Sequence, residues 1–403
     1  MRTLEEAPYF DFFDPETEAQ SEARYAELRP MTAVVRTPVG AAVIRHETVK
    51  ELLGDRRLIS SIPHIIRMQG VNDGRLYDML AASVISTDGE DHTRLRRLVS
   101  RSFTPKAAGN HRDAMADLVN ELVDTFAADG HCEFVSQFAD HYPVQVICEV
   151  LGVPRQDHHL FAEWGNALTH ALSFDLGAHL SDVEAASNAL GEYVERLVAD
   201  RMASPRDDLV TSLVQASDDG DRLSATELFS MIGGLLFAGY DTTRNQLGLA
   251  LMLFADHPDQ WTLLANRPDL VPAAVNEVMR LGGAVPGVPR VTLEDIEVDG
   301  WRIPVNTLVF LSAYSANRDE KVYSSAADFD ITAERDAHLS FGGGPHYCLG
   351  ANLARAEMEE ALVILSRRLA DLTVDTPPEM RTGTGIVGPM RLDVSFDPCS
   401  DAA

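Results

Sequence analysis

The chain has 403 residues, 45% hydrophobic and 24% charged, ordinary globular proportions that exclude a disordered, collagen-like or fibrous protein. Lys and Arg total 34 against 62 Asp and Glu, a formal charge of −28, which disfavours DNA, RNA or an anionic membrane as a global partner. The four cysteines, Cys132, Cys148, Cys348 and Cys399, form no CxxC pair or dense framework, so the chain is expected to lack a disulfide scaffold and to work in a reducing cytoplasm.

The opening MRTLEEAPYFDFFDPE carries acids where a secretory leader needs base, and no apolar run reaches the ~18 residues of a spanning helix. Neither secretion by that route nor a membrane span is expected. No repeat or Gly/Ser linker interrupts the chain, so residues 1–403 read as one domain. Short β-rich runs at Met31–Val39 and Ala41–Ile44 come first. Apolar residues at three- and four-residue spacing then predict helices over Asp91–Arg101, Met115–Ala128, Ala185–Ala203, Ser224–Ala255 and Pro272–Leu281. Strands follow at Ile296–Ile303 and Thr307–Leu311, then a helix at Leu349–Leu372 and further strands near both ends of Leu372–Phe396. The expected class is mainly α with small β-sheets.

Ser224-Ala-Thr-Glu227 is a capping box, and the helix it opens runs to His257-Pro258. Gly233, Gly234 and Gly239 lie inside it, although an interior glycine costs a helix about 1 kcal/mol relative to Ala. Close helix packing explains them, and so does a ligand against Gly239, where Asp241-Thr242-Thr243 supplies an acid and an alcohol beside bared backbone. These two readings carry equal weight on sequence physics alone.

The most informative stretch is Phe341-Gly-Gly-Gly-Pro-His-Tyr-Cys348-Leu-Gly350. Three glycines and a proline forbid regular structure before Cys348, and helix follows. The thiol therefore sits at a helix N-terminus, where the dipole and nearby amides are expected to lower its pKa and favour the thiolate. A catalytic-cysteine hydrolase would need a base and an orienting group that nothing places. Zinc held by His338, His346 and Cys348 would lack a fourth ligand and a compact spacing. An axial thiolate to haem explains the most residues, because the loop backbone must approach a porphyrin and amides must donate to the sulfur.

The segment resembles the haem loop of the cytochrome P450 family, Phe-x-x-Gly-x-(His/Arg)-x-Cys-x-Gly, with Phe341, Gly344, His346, Cys348 and Gly350 filling every position. Glu277-Val-Met-Arg280 is similar to the family's Glu-x-x-Arg pair. Ala238-Gly239-Tyr240-Asp241-Thr242-Thr243 resembles its oxygen-activation signature, in which Gly239 leaves room for dioxygen. His92-Thr-Arg-Leu-Arg96 resembles the helix that contacts the haem propionates, with Arg290 and His346 as further propionate ligands. Guanidinium suits carboxylate chemically. One departure stands out: Ala333 occupies a position where bacterial members carry an arginine completing the Glu277/Arg280 network, and either Arg335 substitutes or the network lacks its third member. The Leu281-Gly282-Gly283 stretch also reads as more flexible than the family norm.

The resemblance implies a P450 fold with haem b between the long central helix and the cysteine loop with its C-terminal helix. It implies insertion of one oxygen atom of dioxygen into an apolar organic substrate. Cys348 would ligate iron, and Thr242 would donate a proton with Asp241 relaying protons from solvent. No dinucleotide fingerprint, flavin domain or iron–sulfur cysteine set is present. Electrons would therefore come from NAD(P)H through a reductase and a ferredoxin, and the chain is expected to act as a monomer. On an ideal helix His92 and Arg96 share one face while Arg94, Arg97 and Arg101 gather opposite, so the second set is expected in the ferredoxin-docking surface. Pocket positions by resemblance are Phe237, Ala238, Pro286 to Val288, Ile386 and Val387, under a lid at Ile62–Ala82 whose Ile65, Ile66, Met68, Leu76 and Met79 face either ligand or core. Rival readings are a peroxide-driven peroxygenase or thiolate-haem isomerase, against which the retained Asp241–Thr242 pair speaks, and a non-catalytic haem sensor.

Overall fold

The computed structural model describes residues 2–14, 16–17, 20–172, 176–218, 221–381 and 385–398. Its organising element is the helix Ala225–Asp256. The capping box forms as expected: the Glu227 amide donates to Ser224 Oγ at 3.2 Å and Glu227 Oε2 accepts from the Ser224 amide at 2.7 Å. Buried residues occur on almost every turn, which explains why its apolar pattern runs all round and not along one stripe. Helices Tyr142–Leu151, His158–Leu168, Leu176–Ala203, Gly74–Ala81 and Ala351–Arg368 pack against it, sharing one apolar core.

Three of these helices escaped the periodicity reading: Gly74–Ala81 is only eight residues long, and the other two were hidden by burial. In Tyr142–Leu151 eight of ten residues are buried, so no polar face alternates with an apolar one. His158–Leu168 carries His158, Phe161, Gly165 and Leu168 inward, a weak signal spread over mixed residue types. The last predicted helix was too long. It stops at Arg368, and Leu369–Val374 is a strand antiparallel to Asp393–Pro398.

The sheets stand beside the helical core. The largest has the order Val34–Thr37, Gly40–Val43, Leu308–Leu311, Val288–Thr292, Leu58–Ser60. Leu58–Ser60 and Val288–Thr292 were not read as strands, because three residues, or five with a Pro, give no alternation to detect; pairing makes them strands. The register sets Ser60 opposite Arg290, which carries that arginine toward the cysteine loop. Ile296–Ile303 is a hairpin of Ile296–Val298 and Trp301–Ile303 about positive-φ Asp299. A second hairpin, Glu379–Arg381 with Gly388–Arg391, lies along the central helix.

Glu277 and Arg280 lie in helix Val271–Leu281, and both are buried. Arg280 binds Glu277 through two parallel bonds of 2.8 Å and also donates to the carbonyls of Asn317, Ala326 and Asp328. Arg335 reaches Glu277 Oε1 at 3.4 Å. It therefore supplies the third member that Ala333 cannot. The Gly282–Gly283 stretch is pinned: Gln246 donates to Gly282 O at 2.7 Å and accepts from the Ala284 amide at 3.0 Å. A Cβ on Gly283 would stand 2.9 Å from Met279 O, so the glycine serves close approach here.

Candidate active site

The loop before Cys348 takes its shape from contacts with a neighbouring helix end. Gly344 has φ +60°, and a Cβ there would meet Leu53 O at 2.4 Å and Gly54 Cα at 2.8 Å; a side chain is excluded on both counts. Cys348 donates its amide to Phe341 O at 2.9 Å. Gly350 stands at the N-cap of Ala351–Arg368, two residues beyond the cysteine, and its amide donates to the sulfur. Arg355 lies over the Phe341 ring at 4.5 Å and donates to the Tyr347 hydroxyl at 3.1 Å.

One expectation is reversed here. Burial pushes the Cys348 thiol up, outweighing the Gly350 amide and the charges of Arg96 and Arg355 that favour the thiolate. One amide dipole and two cations act on the sulfur, yet they do not offset the loss of water. A bound cation at the sulfur would complete the balance, since a coordinated thiol is deprotonated outright.

A second cluster faces this loop. His92 is buried with Nε2 unpartnered, and its ring lies 4.3 Å from that of His346. Burial, His346 and Arg96 push His92 down to about 4. Arg290 is buried and, among the described residues, donates only to Pro289 O; Arg96 donates to Tyr347 O at 2.5 Å. Burial lowers the pKa of both guanidinium groups. Among the described residues neither forms an ion pair. The nearby carboxylate is Asp88, which accepts from His346 Nε2 at 3.0 Å and from the Ser60 amide at 2.9 Å. Burial works against its ionisation, but those two bonds and Arg290 hold the carboxyl below its ordinary value. Asp88 was not singled out in the sequence, because its partners come from residues 60, 290 and 346.

One buried cation, one half-buried cation, an orphaned imidazole nitrogen and a loop thiol form a donor set that fits a dianionic macrocycle with a thiolate-binding metal. Haem satisfies both halves: its carboxylates suit Arg96, Arg290, His92 and His346, and its iron suits Cys348.

The central helix presents one open face. A Cβ on Gly234 would meet nothing within 4 Å, Ala238 is exposed in the middle of an otherwise buried helix, and Thr242 is half-buried. Positions 234, 238 and 242 are four apart and share a face. Thr242 Oγ1 donates to Ala238 O at 2.6 Å. Gly233 and Gly239, the other two glycines named above, are accounted for by packing. A Cβ on Gly239 would lie 3.1 Å from Ile147 Cγ1, and one on Gly233 would lie 2.8 Å from Met79 Sδ. The expectation that Gly239 makes room for a ligand is corrected accordingly: its missing side chain makes room for Ile147, and Gly234 is the glycine that opens on space.

Asp241 points elsewhere. It is fully buried, takes both oxygens to Arg381 Nη1 at 3.0 Å and accepts from Asn245 Nδ2 at 2.9 Å. Burial raises its pKa in spite of Arg381. No hydrogen bond joins Asp241 to Thr242 among the described residues, so the acid and the alcohol do not stand as a bonded pair. Arg381 gave no sequence signal, being 140 residues away from its partner.

One further expectation is revised and one open alternative is settled. Arg94 does not belong to an outward basic face, because it pairs with Glu227 at the start of the central helix; Arg97 and Arg101 are exposed. In the lid, Ile66, Leu76 and Met79 are core residues, Ile65 is half-buried and Met68 is 73% exposed. Met79 packs on Gly233, and its carbonyl accepts from Ser230 Oγ at 2.6 Å. Phe237 is buried, whereas Val285, Pro286, Val288, Ile386 and Val387 are half-buried.

A mainly helical frame with a cysteine loop, cations placed for carboxylates and an open central-helix face defines a haem-thiolate oxygenase. The cytochrome P450 family model matches residues 37–266 and 259–388. Luteothin monooxygenase of Streptomyces thioluteus is 37% identical over 393 residues, covering 96% of each chain. Mycinamicin IV hydroxylase/epoxidase of Micromonospora griseorubida is 36% identical over 382 residues, covering 92% of this chain and 94% of its own. The solved structure of PksS, the cytochrome P450 of the bacillaene polyketide synthase of Bacillus subtilis 168, superposes with a TM-score of 0.87 at 28% identity, covering 95% of this chain and 98% of its own. The chain belongs to the cytochrome P450 family and is a haem-thiolate monooxygenase acting on small organic substrates. Among the described residues no helix is long and apolar enough to cross a membrane.

Proposed function

We propose that this monooxygenase oxidises a large, predominantly apolar natural product of the polyketide type, by hydroxylation or epoxidation. The observation that carries this reading is the open face of the central helix, where Gly234, Ala238 and Thr242 offer an apolar strip with one hydroxyl. Half-buried Val285, Val288 and Ile386 add further apolar surface. The relatives named for mycinamicin IV and for bacillaene polyketide synthase support the same substrate class.

Oxygen activation is the chemistry that haem supplies when bound. Cys348 would hold the iron, with the Gly350 amide, Arg96 and Arg355 stabilising charge on its sulfur. His92, Arg96, Arg290 and His346 would bind the propionates, and Asp88 would orient His346. Thr242 would present its hydroxyl on the open face as the proton donor, and Asp241, the nearest buried acid on the same helix, would restore that proton. Ala238, one turn before Thr242, leaves the face unobstructed. The reading is tested by following the ferric Soret band during titration with macrolides, fatty acids, terpenoids and aromatic acids. A saturable spin-state shift with macrolides alone is expected; a shift with fatty acids and none with macrolides would refute the assignment.

Electrons are proposed to come from NAD(P)H through a reductase and a ferredoxin docking near exposed Arg97 and Arg101. Exposed Lys106 extends that surface, and it is basic on a chain of net charge −28, as an acidic partner requires. Arg97→Glu is expected to slow the ferredoxin-driven rate severalfold at low salt. The defect should shrink between 0.01 M and 0.1 M salt, as the Debye length falls from about 30 Å to about 10 Å. Substrate-induced Soret shifts should not change. A rate equal to wild type at low salt would remove Arg97 from the docking surface.

A further inference from the structure

The acid proposed to feed protons to Thr242 is held by a residue from a distant part of the chain. Arg381 ends the strand Glu379–Arg381 and pairs with Gly388 in the partner strand. That hairpin meets the central helix at two points where only glycine fits. A Cβ on Gly388 would stand 2.5 Å from the Asn245 side chain, and one on Gly248 would stand 2.3 Å from Pro389. Asn245 is the second donor to Asp241. Of the two side chains that hold the carboxyl, Arg381 is carried by the hairpin and Asn245, on the helix, lies directly against it.

The remaining charged neighbours are committed elsewhere. Arg244, on Asp241's own helix, pairs with Asp140, and its Nη1 donates to Asn245 Oδ1 at 3.3 Å. Tyr240 bonds Asp140 and Asn166. Among the described residues Arg381 is thus the one cation in an ion pair with Asp241. The arm of the hairpin before Gly388 also carries Ile386 and Val387, and the Val387 amide donates to Ala284 O at 2.8 Å. The apolar residues proposed to touch substrate and the cation on the acid lie on one short unit.

We propose that Arg381 is a positioning residue that keeps the Asp241 carboxyl turned into the helix–hairpin interface, so that the seating of substrate against Ile386 and Val387 governs its approach to Thr242. This rests on the proton-supply reading of Asp241 and Thr242. Adjacent residues on a helix point about 100° apart, so with the ion pair closed the two side chains diverge, and the hairpin must yield for them to meet. Removing the cation leaves a buried carboxyl without a counter-charge, which favours its protonated form.

The test uses the haem-loaded protein with Arg381→Gln, Arg381→Lys, Asp241→Asn and the Arg381→Gln/Asp241→Asn pair. The first readout is the infrared carbonyl band of a protonated carboxyl in the resting protein, assigned to Asp241 by its loss in Asp241→Asn. Its midpoint is expected to rise by about 1–3 pH units in Arg381→Gln and to return toward wild type in Arg381→Lys. The second readout is hydrogen peroxide formed per NAD(P)H oxidised with substrate bound. Dioxygen that takes two electrons and two protons leaves as peroxide, instead of giving one atom to substrate and one to water. That ratio should rise severalfold in Arg381→Gln, and the double variant should be no leakier than Asp241→Asn alone. An unmoved infrared midpoint, or additive leakage in the double variant, overturns the inference. If Thr242→Ala retains wild-type coupling, the proton-supply reading itself fails and takes this inference with it, whatever the infrared band shows.

Discussion

Cys348→Ser is expected to abolish oxygenation while leaving the protein folded. The reduced, CO-treated variant should lose the red-shifted Soret band that a thiolate ligand gives, and substrate turnover should fall to background. The structure says why the fold survives. The loop is fixed by backbone, through the Cys348 amide on Phe341 O and by Gly344 seated against Leu53 and Gly54, and serine keeps both. What it loses is a soft, ionisable sulfur. Burial already pushes the thiol up, and a hydroxyl starts several units higher, so the Gly350 amide and the charges of Arg96 and Arg355 have no comparable anion to stabilise. A variant that keeps the thiolate band, or oxidises substrate at a tenth of the wild-type rate, would remove Cys348 from the iron. Gly344→Ala is the informative contrast, because its Cβ would overlap Leu53 O; there the stability and the haem should be lost together.

The cysteine loop was legible in sequence because its determinants are local: glycines, a proline and a thiol within ten residues. The central helix was legible through its capping box and length. What sequence reasoning missed was set by distant partners. The sharper reading of the helix glycines chose the wrong one, since the direction of a missing Cβ depends on which helix lies opposite, and Ile147 comes from a helix too uniformly buried to show a period. Arg94 sits on the face that an ideal helix assigns it; yet its charge is claimed by Glu227, the same residue that closes the capping box. Asp88 and Arg381 are invisible for a related reason. Each is one polar residue among many until the chain brings Ser60, Arg290 and His346, or Asp241 and Asn245, into reach. Ala333 looked like a defect in the Glu277 network, and the structure repairs it two residues later with Arg335.

That network carries the other large expected effect. Glu277→Gln keeps the side-chain volume and removes the charge, leaving the Arg280 guanidinium buried without its carboxylate. Breaking a buried pair in this way costs about 3–5 kcal/mol, read as a fall in the denaturation midpoint at unchanged slope. Arg335→Ala should cost less, since its contact to Glu277 is a longer one at 3.4 Å and its loss leaves the two-bond Glu277–Arg280 pair intact. An apolar replacement of the whole pair, Glu277→Leu with Arg280→Met, would often be neutral in a protein core. Here it is expected to fail, because Arg280 also satisfies the carbonyls of Asn317, Ala326 and Asp328, and a buried carbonyl left without a donor costs about 1–3 kcal/mol. Those carbonyls belong to the segment that leads into the cysteine loop: Asn317 accepts from the Leu339 amide and donates to Ser340 Oγ, which bonds back to Met279 O. Loosening Arg280 therefore frees the loop from the helix that supports it, and the Glu277→Gln protein should purify with less haem per chain than Arg335→Ala. Equal stability and equal haem content in the two variants would show that the pair is not what anchors the loop.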